Sequence, residues 1–152
     1  MSWLDRHATA IGAASALITA PVAVGALIGV SVQLSEADRV AKEATAREAY
    51  RNHLALAVAT PAFAAPTDAC AILASDTGAA YQAFVDHLLY AAEQMLEVED
   101  GWDMTFGDQL ANHRIFICSH DGPKGETDKV ANLLNRFRSE QCNSVIQCSS
   151  RP

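Results

Sequence analysis

Between Ala8 and Ser35 the chain carries no Asp, Glu, Lys or Arg and is built mainly of Ala, Val, Ile, Leu and Gly. About 20 apolar residues in a helix cross the hydrocarbon core of a bilayer, so residues 8–34 are long enough to span it once, and the lipid bilayer is the expected partner. A secretory signal has a basic start and a shorter apolar region. Here Arg6 is offset by Asp5 and Pro21 lies inside a long run, which favours an uncleaved transmembrane helix preceded by a short tail, residues 1–7. Gly25 and Gly29 are four apart, the spacing that lets a second membrane helix approach closely, and Ala13, Ser15, Ala16 and Ala20 add small residues on the turns before them.

Beyond Leu34 the helical pattern continues. Ala37, Val40, Ala41 and Ala44 recur at i, i+3, i+4 and i+7, and Glu36, Asp38, Arg39, Lys42, Glu43, Arg47 and Glu48 take the other face. This small-residue seam is the expected interaction surface of a juxtamembrane helix over residues 35–60. Tyr50, Leu54, Ala57 and Val58 extend the stripe with bulkier side chains and are expected to pack on the domain. Pro61 and Pro66 end the helix, because each lacks an amide donor and biases the residue before it away from helical geometry. Residues 61–77, rich in Ala, Pro, Thr, Asp and Ser, read as a loop.

Asp76 or Thr77 is placed to cap the next helix, whose apolar set Tyr81, Phe84, Val85, Leu88, Leu89, Ala92, Met95 and Leu96 follows the helical period closely. An acidic turn from Glu97 to Gly101 breaks it. Trp102, Phe106, Leu110, His113 and Ile117 then mark one face of a third helix, and the Asp121 to Gly125 segment stops it. Val130, Leu133, Leu134 and Phe137 give the face of a fourth. Residues 78–138 therefore read as an antiparallel three-helix unit, and residues 139–152 as a polar tail carrying Cys142 and Cys148. No stretch alternates with period two, so the fold class is all-α: a single transmembrane helix continuing into a small antiparallel helical bundle.

Gln33-Leu34 with Ala37 and Arg39, Ala46-Arg47-Glu48 to Tyr50-Arg51, Phe84-Val85 to Leu88-Leu89-Tyr90-Ala91, Gly101-Trp102, Asp108-Gln109-Leu110 and His113-Arg114 to Cys118-Ser119 occur in one order along the chain. In this order the chain resembles a group of uncharacterised bacterial proteins with one N-terminal membrane span and a short helical domain. The resemblance covers about two thirds of the chain. It implies an anchor in the bacterial inner membrane and a helical domain, and it supplies no activity.

The formal net charge of −7 and the absence of clustered Lys and Arg exclude nucleic acid as a partner. Sidedness draws two opposed signals, of which the basic residues take precedence, so the domain is expected in the cytoplasm with the periplasm as the alternative. Arg39, Lys42, Arg47 and Arg51 follow the span and only Arg6 precedes it, which by the positive-inside bias predicts a cytoplasmic domain. Cys70, Cys118, Cys142 and Cys148, an even number in a small domain, suit two disulfides on the periplasmic side. One pairing would close a short loop between Cys142 and Cys148 and leave Cys70 with Cys118, but four cysteines allow three pairings.

The densest group of metal-ligand types is His113, Cys118 and His120, which Cys142 and Cys148 would complete to a tetrahedral zinc set. Cys118, His120, Cys142 and Cys148 thus define an alternative reading as a metal-binding or redox module. The spacings match no zinc motif, and the competing account has His113 in the core and Cys118 as a small buried hydrophobe. His53, His87 and His113 fall on three expected helices and read as separate core or boundary histidines. Glu-x-x-His, Cys-x-x-Cys-His, His-Glu-x-x-His, Gly-x-Ser-x-Gly and phosphate-binding glycine loops are all missing. No catalytic residue and no cofactor is assigned. The expected role is a non-enzymatic interaction or accessory subunit, partnered by a second copy of itself or by a membrane complex.

Overall fold

A computed structural model describes the backbone of residues 3–119, 122–125, 127–145 and 148, with side chains from residue 24 onward apart from that of Ser144. Its elements are α1 (Trp3–Ala59), α2 (Pro61–Ala64), α3 (Ala69–Leu73), α4 (Gly78–Val98), α5 (Trp102–Ala111), α6 (Arg114–Ile117) and α7 (Asp128–Gln141), closed by a 3-10 turn over Cys142–Ser144. The protein is all-α, with no strand among the described residues. It divides into two units, residues 1–41 and 42–152.

In the first unit, α1 carries no charged residue from Val24 to Ser35. Val24, Leu27, Ile28, Val30, Val32 and Leu34 are each between 52 and 71 % exposed. Ser31 Oγ and Ser35 Oγ donate to the carbonyls of Ile28 and Val32 at 2.8 and 2.9 Å, so both hydroxyls of this stretch are satisfied within the helix. Charge begins with the Glu36–Arg39 pair. Among the described residues, no helix is long and apolar enough to cross a membrane. Most of the expected span, Ala8 to Ala23, lies outside the residues whose side chains are described.

In the second unit, α4 carries the core. Its side chains at Tyr81, Phe84, Val85, Leu88, Leu89, Ala92, Met95 and Leu96 are all buried, as their spacing requires. Two apolar clusters share this helix. Leu88, Met95, Phe106, Leu110, Ile117 and Leu134 belong to the larger. Tyr81, Phe84, Val85, Phe116 and Ala69 form the smaller.

α1 meets this core through only part of the expected stripe. Tyr50 and Ala57 pack against it, joined by the buried Ala46, Ala49 and His53, whereas Leu54 is 42 % and Val58 83 % exposed. The packed positions therefore run 46, 49, 50, 53 and 57, with Tyr50 edge-on to Trp102 and Phe106 at 5.0 and 5.7 Å. The aromatic face of an imidazole lets His53 fill a position that a hydrophobic count assigns to the surface.

Residues 61–77 are also more ordered than a loop. Pro61 opens α2, where its missing N–H costs nothing. Phe63 then lies edge-on to Tyr81 and Phe84. Asp68 caps α3 by accepting from the Ala71 amide at 2.9 Å. Thr77 occupies the N-cap position of α4 without a side-chain cap bond, because its hydroxyl pairs with that of Ser75 at 2.8 Å. The approach is tight: a Cβ on Gly78 would sit 2.6 Å from the Leu73 carbonyl oxygen.

The expected third helix is two, α5 and α6, separated at Asn112 and His113. Gly101, with φ of 88°, supplies the left-handed turn before α5. α7 then ties the ends of its neighbours. Lys129 donates to the Leu96 carbonyl in the last turn of α4, where a cation complements the helix dipole. Arg136 meets Asp103 in the first turn of α5 at 2.8 Å. Arg138 donates to the carbonyls of Ile117 and Pro123.

That clamp brings the C-caps of α6 and α7 together, and Cys118 bonds to Cys142 with a Cα–Cα distance of 5.5 Å. Cys70 bonds to Cys148, 78 residues away. The local Cys142–Cys148 bridge, with Cys70 left to Cys118, is therefore not the pairing adopted: the two partners of Cys142 compete, and α7 delivers it to Cys118. Non-reducing peptide mapping is expected to recover the 70–148 and 118–142 peptides. From the lengths of the closed loops, replacing Cys118 and Cys142 together by Ser lowers the unfolding free energy by about 3 kcal/mol, and replacing Cys70 and Cys148 by about 4 kcal/mol, in denaturant titrations.

Candidate functional site

Three histidines from distant parts of the chain converge beside α4. His53 comes from the inward face of α1, His87 from the shoulder of α4, and His113 from the N-cap of α6. The His53 and His87 rings stack with centroids 5.7 Å apart. Phe84 touches both His53, at 5.0 Å, and His113, at 5.7 Å. Tyr81 Oη shares a buried 3.0 Å hydrogen bond with His113 Nδ1. Sequence spacing treated these histidines as separate; helix packing makes them one cluster.

The electrostatics follow from burial. His53 and His113 are 4 and 2 % exposed. Desolvation, reinforced by His87, draws the His53 imidazole down to about 4. Desolvation, reinforced by His53, draws His113 down to about 4 as well. Burial pushes the Tyr81 phenol up to about 12. Near neutral pH the His53 and His113 imidazoles and the Tyr81 phenol are thus uncharged, the low-cost state for groups removed from water.

A cavity of about 160 Å³ adjoins the cluster. Ala57, Ala64, Phe84 and Leu88 supply apolar wall, and His53, His113 and Gln109 supply polar edge. Leu54 and Asn112, both exposed, complete its lining. Gln109 Nε2 donates to Tyr50 Oη at 2.9 Å. That leaves Gln109 Oε1 buried without a partner, and His53 Nδ1 is in the same condition. An unsatisfied buried polar atom costs about 1–3 kcal/mol, so the pair marks a place where the fold is not optimised for stability alone.

The other expected site residues lie elsewhere. Val40 is 54 % exposed, and Ala37, Ala41 and Ala44 are also exposed, so the seam is turned outward; the alanines that pack are Ala46 and Ala49. A Cβ on Gly25 or Gly29 would meet nothing within 4 Å, which leaves both faces open to a neighbour. Cys118, Cys142 and Cys148 are disulfide-bonded and offer no thiolate in this state, while His120 lies outside the described residues. No group of three His, Cys, Asp or Glu side chains among the described residues is placed to hold a metal ion. The contacts that sequence could not reveal are Tyr81 with His113 and Tyr50 with Gln109, 32 and 59 residues apart, which follow no local spacing.

No protein-family model, no curated protein and no solved structure matches this chain.

The lowered histidines set a pH dependence. Unfolded, each imidazole titrates near 6.5; folded, near 4, so between those values the unfolded chain binds more protons and stability rises with pH. The stability is complete above about pH 6.5 and is lost as pH falls toward 4. Urea titrations from pH 7 to 5 are expected to show a loss to which His53 alone contributes on the order of 1–2 kcal/mol. His53→Gln, which cannot charge, is expected to flatten the profile by that amount.

Proposed function

We propose that this chain is a non-enzymatic, single-span membrane protein, with residues 8–34 as the anchor and the helical domain acting as an interaction or accessory subunit in the bacterial inner membrane. The observation that carries the reading is the exposure of Val24, Leu27, Ile28, Val30, Val32 and Leu34 over more than half of the circumference of α1, with the uncharged Gly25, Ala26, Gly29 and Gln33 on the remainder. A helix apolar on one stripe asks for one protein neighbour, whereas one apolar all round asks for an apolar medium. The charge-free run that begins at Ala8 extends that character to the length a bilayer needs.

Gly25 and Gly29 support close packing against a second membrane helix, and Ala37, Val40, Ala41 and Ala44 continue a small-residue face beyond it. The occupant is a second copy of the chain or a subunit of a membrane complex. The two disulfides support the oxidising, periplasmic side for the domain. They outweigh the count of basic residues after Leu34, because a domain held by two cross-links depends on its compartment for stability.

Membrane fractionation and carbonate extraction are expected to leave the chain in the membrane pellet. A reporter active only outside the cytoplasm, fused after Pro152, is expected to be active. A photo-crosslinking residue at Ala37 or Ala44 is expected to yield a defined crosslinked species in native membranes. Extraction by carbonate overturns the anchor, an active cytoplasmic reporter overturns the sidedness, and monomer at every reporter position overturns the seam.

A further inference from the structure

We infer that this chain is a substrate of a thiol–disulfide isomerase, because the cysteine pairing that chain order and loop length favour, Cys70–Cys118 with Cys142–Cys148, has to be exchanged into the native one. The inference rests on the periplasmic side proposed for the domain. The native bridges are nested: Cys70–Cys148 joins the first cysteine to the last and encloses Cys118–Cys142.

A domain that follows its anchor crosses the membrane in chain order, so Cys70 and Cys118 reach the oxidising side before Cys142 and Cys148. The fold then places the first two together. The smaller apolar cluster is built from Ala69, Tyr81, Phe84, Val85 and Phe116, all of which precede Cys118. It packs α3, which carries Cys70, against α6, whose C-cap is Cys118. The larger cluster needs Val130, Leu133, Leu134 and Phe137 of α7, and α7 also carries Arg138, which draws Cys142 to Cys118. Until α7 has emerged, the thiol available to Cys118 is that of Cys70. Oxidation joins them, and two electrons and two protons pass to a disulfide oxidant.

Loop closure favours the same isomer. Cys142 and Cys148 are then the thiols that remain, and they close the shortest loop of any cysteine pair in the chain. By the three-halves power of loop length, that closure is roughly fiftyfold easier than closing the 78-residue span from Cys70 to Cys148. The resulting isomer has no free thiol, and exchange starts only when a thiolate attacks a disulfide sulfur, so the thiolate comes from a catalyst. It attacks Cys142 Sγ, forms a mixed disulfide and releases the Cys148 thiolate. Cys148 attacks Cys70 Sγ, forms the native outer bridge and releases the Cys118 thiolate. Cys118 then attacks Cys142 Sγ, forms the native inner bridge and returns the catalyst thiolate. No net electron is transferred, which makes the reaction an isomerisation. Packing of α7 on α4, α5 and α6, with Cys142 beside Cys118, draws it to the native side.

The test uses the full chain in bacterial cells with and without their periplasmic disulfide isomerase. Free thiols are blocked at intervals after a labelling pulse, and peptides are mapped without reduction. The 70–118 and 142–148 linkages are expected first in both strains. They give way to 70–148 and 118–142 where the isomerase is present, and without it the non-native fraction at steady state is higher by about fivefold or more. Native linkages formed at equal rate and yield in both strains overturn the inference, whether they arise directly or by attack of Cys142 on the Cys118 sulfur before Cys148 emerges. Four free thiols in both strains overturn the periplasmic reading, and the inference with it. A second measurement is independent of sidedness. The full chain carrying Cys142→Ser and Cys148→Ser, purified in detergent micelles and treated with oxidised glutathione, is expected to form the 70–118 linkage. Thiols at 70 and 118 that do not join each other overturn the inference whichever side the domain occupies.

Discussion

Because Tyr81, Phe84, Leu88, Leu89 and Met95 recur at helical spacing, α4 buries one continuous face, and α2, α3, α5 and α7 each find their place by covering part of it. Full burial of such a side chain contributes about 1.5–3 kcal/mol, so this single face outweighs any polar contact in the unit. It also explains where the cavity lies. Phe84 belongs to the smaller cluster and Leu88 to the larger, and both line the cavity. The space opens at the junction of two packing groups, where neither set of side chains determines the fit alone.

The histidines occupy that junction. An apolar residue at position 53 would remove the desolvation cost and the unpaired nitrogen together, and cores accept such exchanges when volume is kept. Tyr81 and Gln109 show that the region is built around polar groups: one reaches His113, the other Tyr50. Local departures from the most stable choice concentrate where a protein does something other than fold.

Much of the fold was readable from periodicity. The α4 and α7 faces follow from residues spaced three and four apart, and Pro61 and Gly101 mark boundaries because their backbones restrict or permit particular dihedral angles. The face of α1 was readable only in part: Tyr50 and Ala57 pack as their spacing suggests, but His53 counts as polar in a pattern and packs as an aromatic ring. The break at Asn112 was hidden as well: no Pro or Gly announces it, and α6 turns there to bring His113 under Tyr81. The candidate site depends on pairs 32 and 59 residues apart, and the cysteine pairing on where α7 ends. Both are set by tertiary packing, for which a linear pattern holds no signal. The anchor reading, by contrast, rests on the charge-free run itself.

The Cys70–Cys148 bridge also makes the domain a mechanical element. Its two cysteines are 78 residues apart in the chain. Drawn straight at about 3.5 Å per residue, that length would extend by roughly 270 Å. With the bridge closed, tension applied between α1 and residue 148 passes across sulfur and bypasses the intervening chain. Only the segments before Cys70 can lengthen under load. α4, α5 and α7, with His87 and His113, lie inside the closed loop and are shielded from forces transmitted along the chain, whereas the buried α1 residues Ala46, Ala49 and His53 stay in the load path.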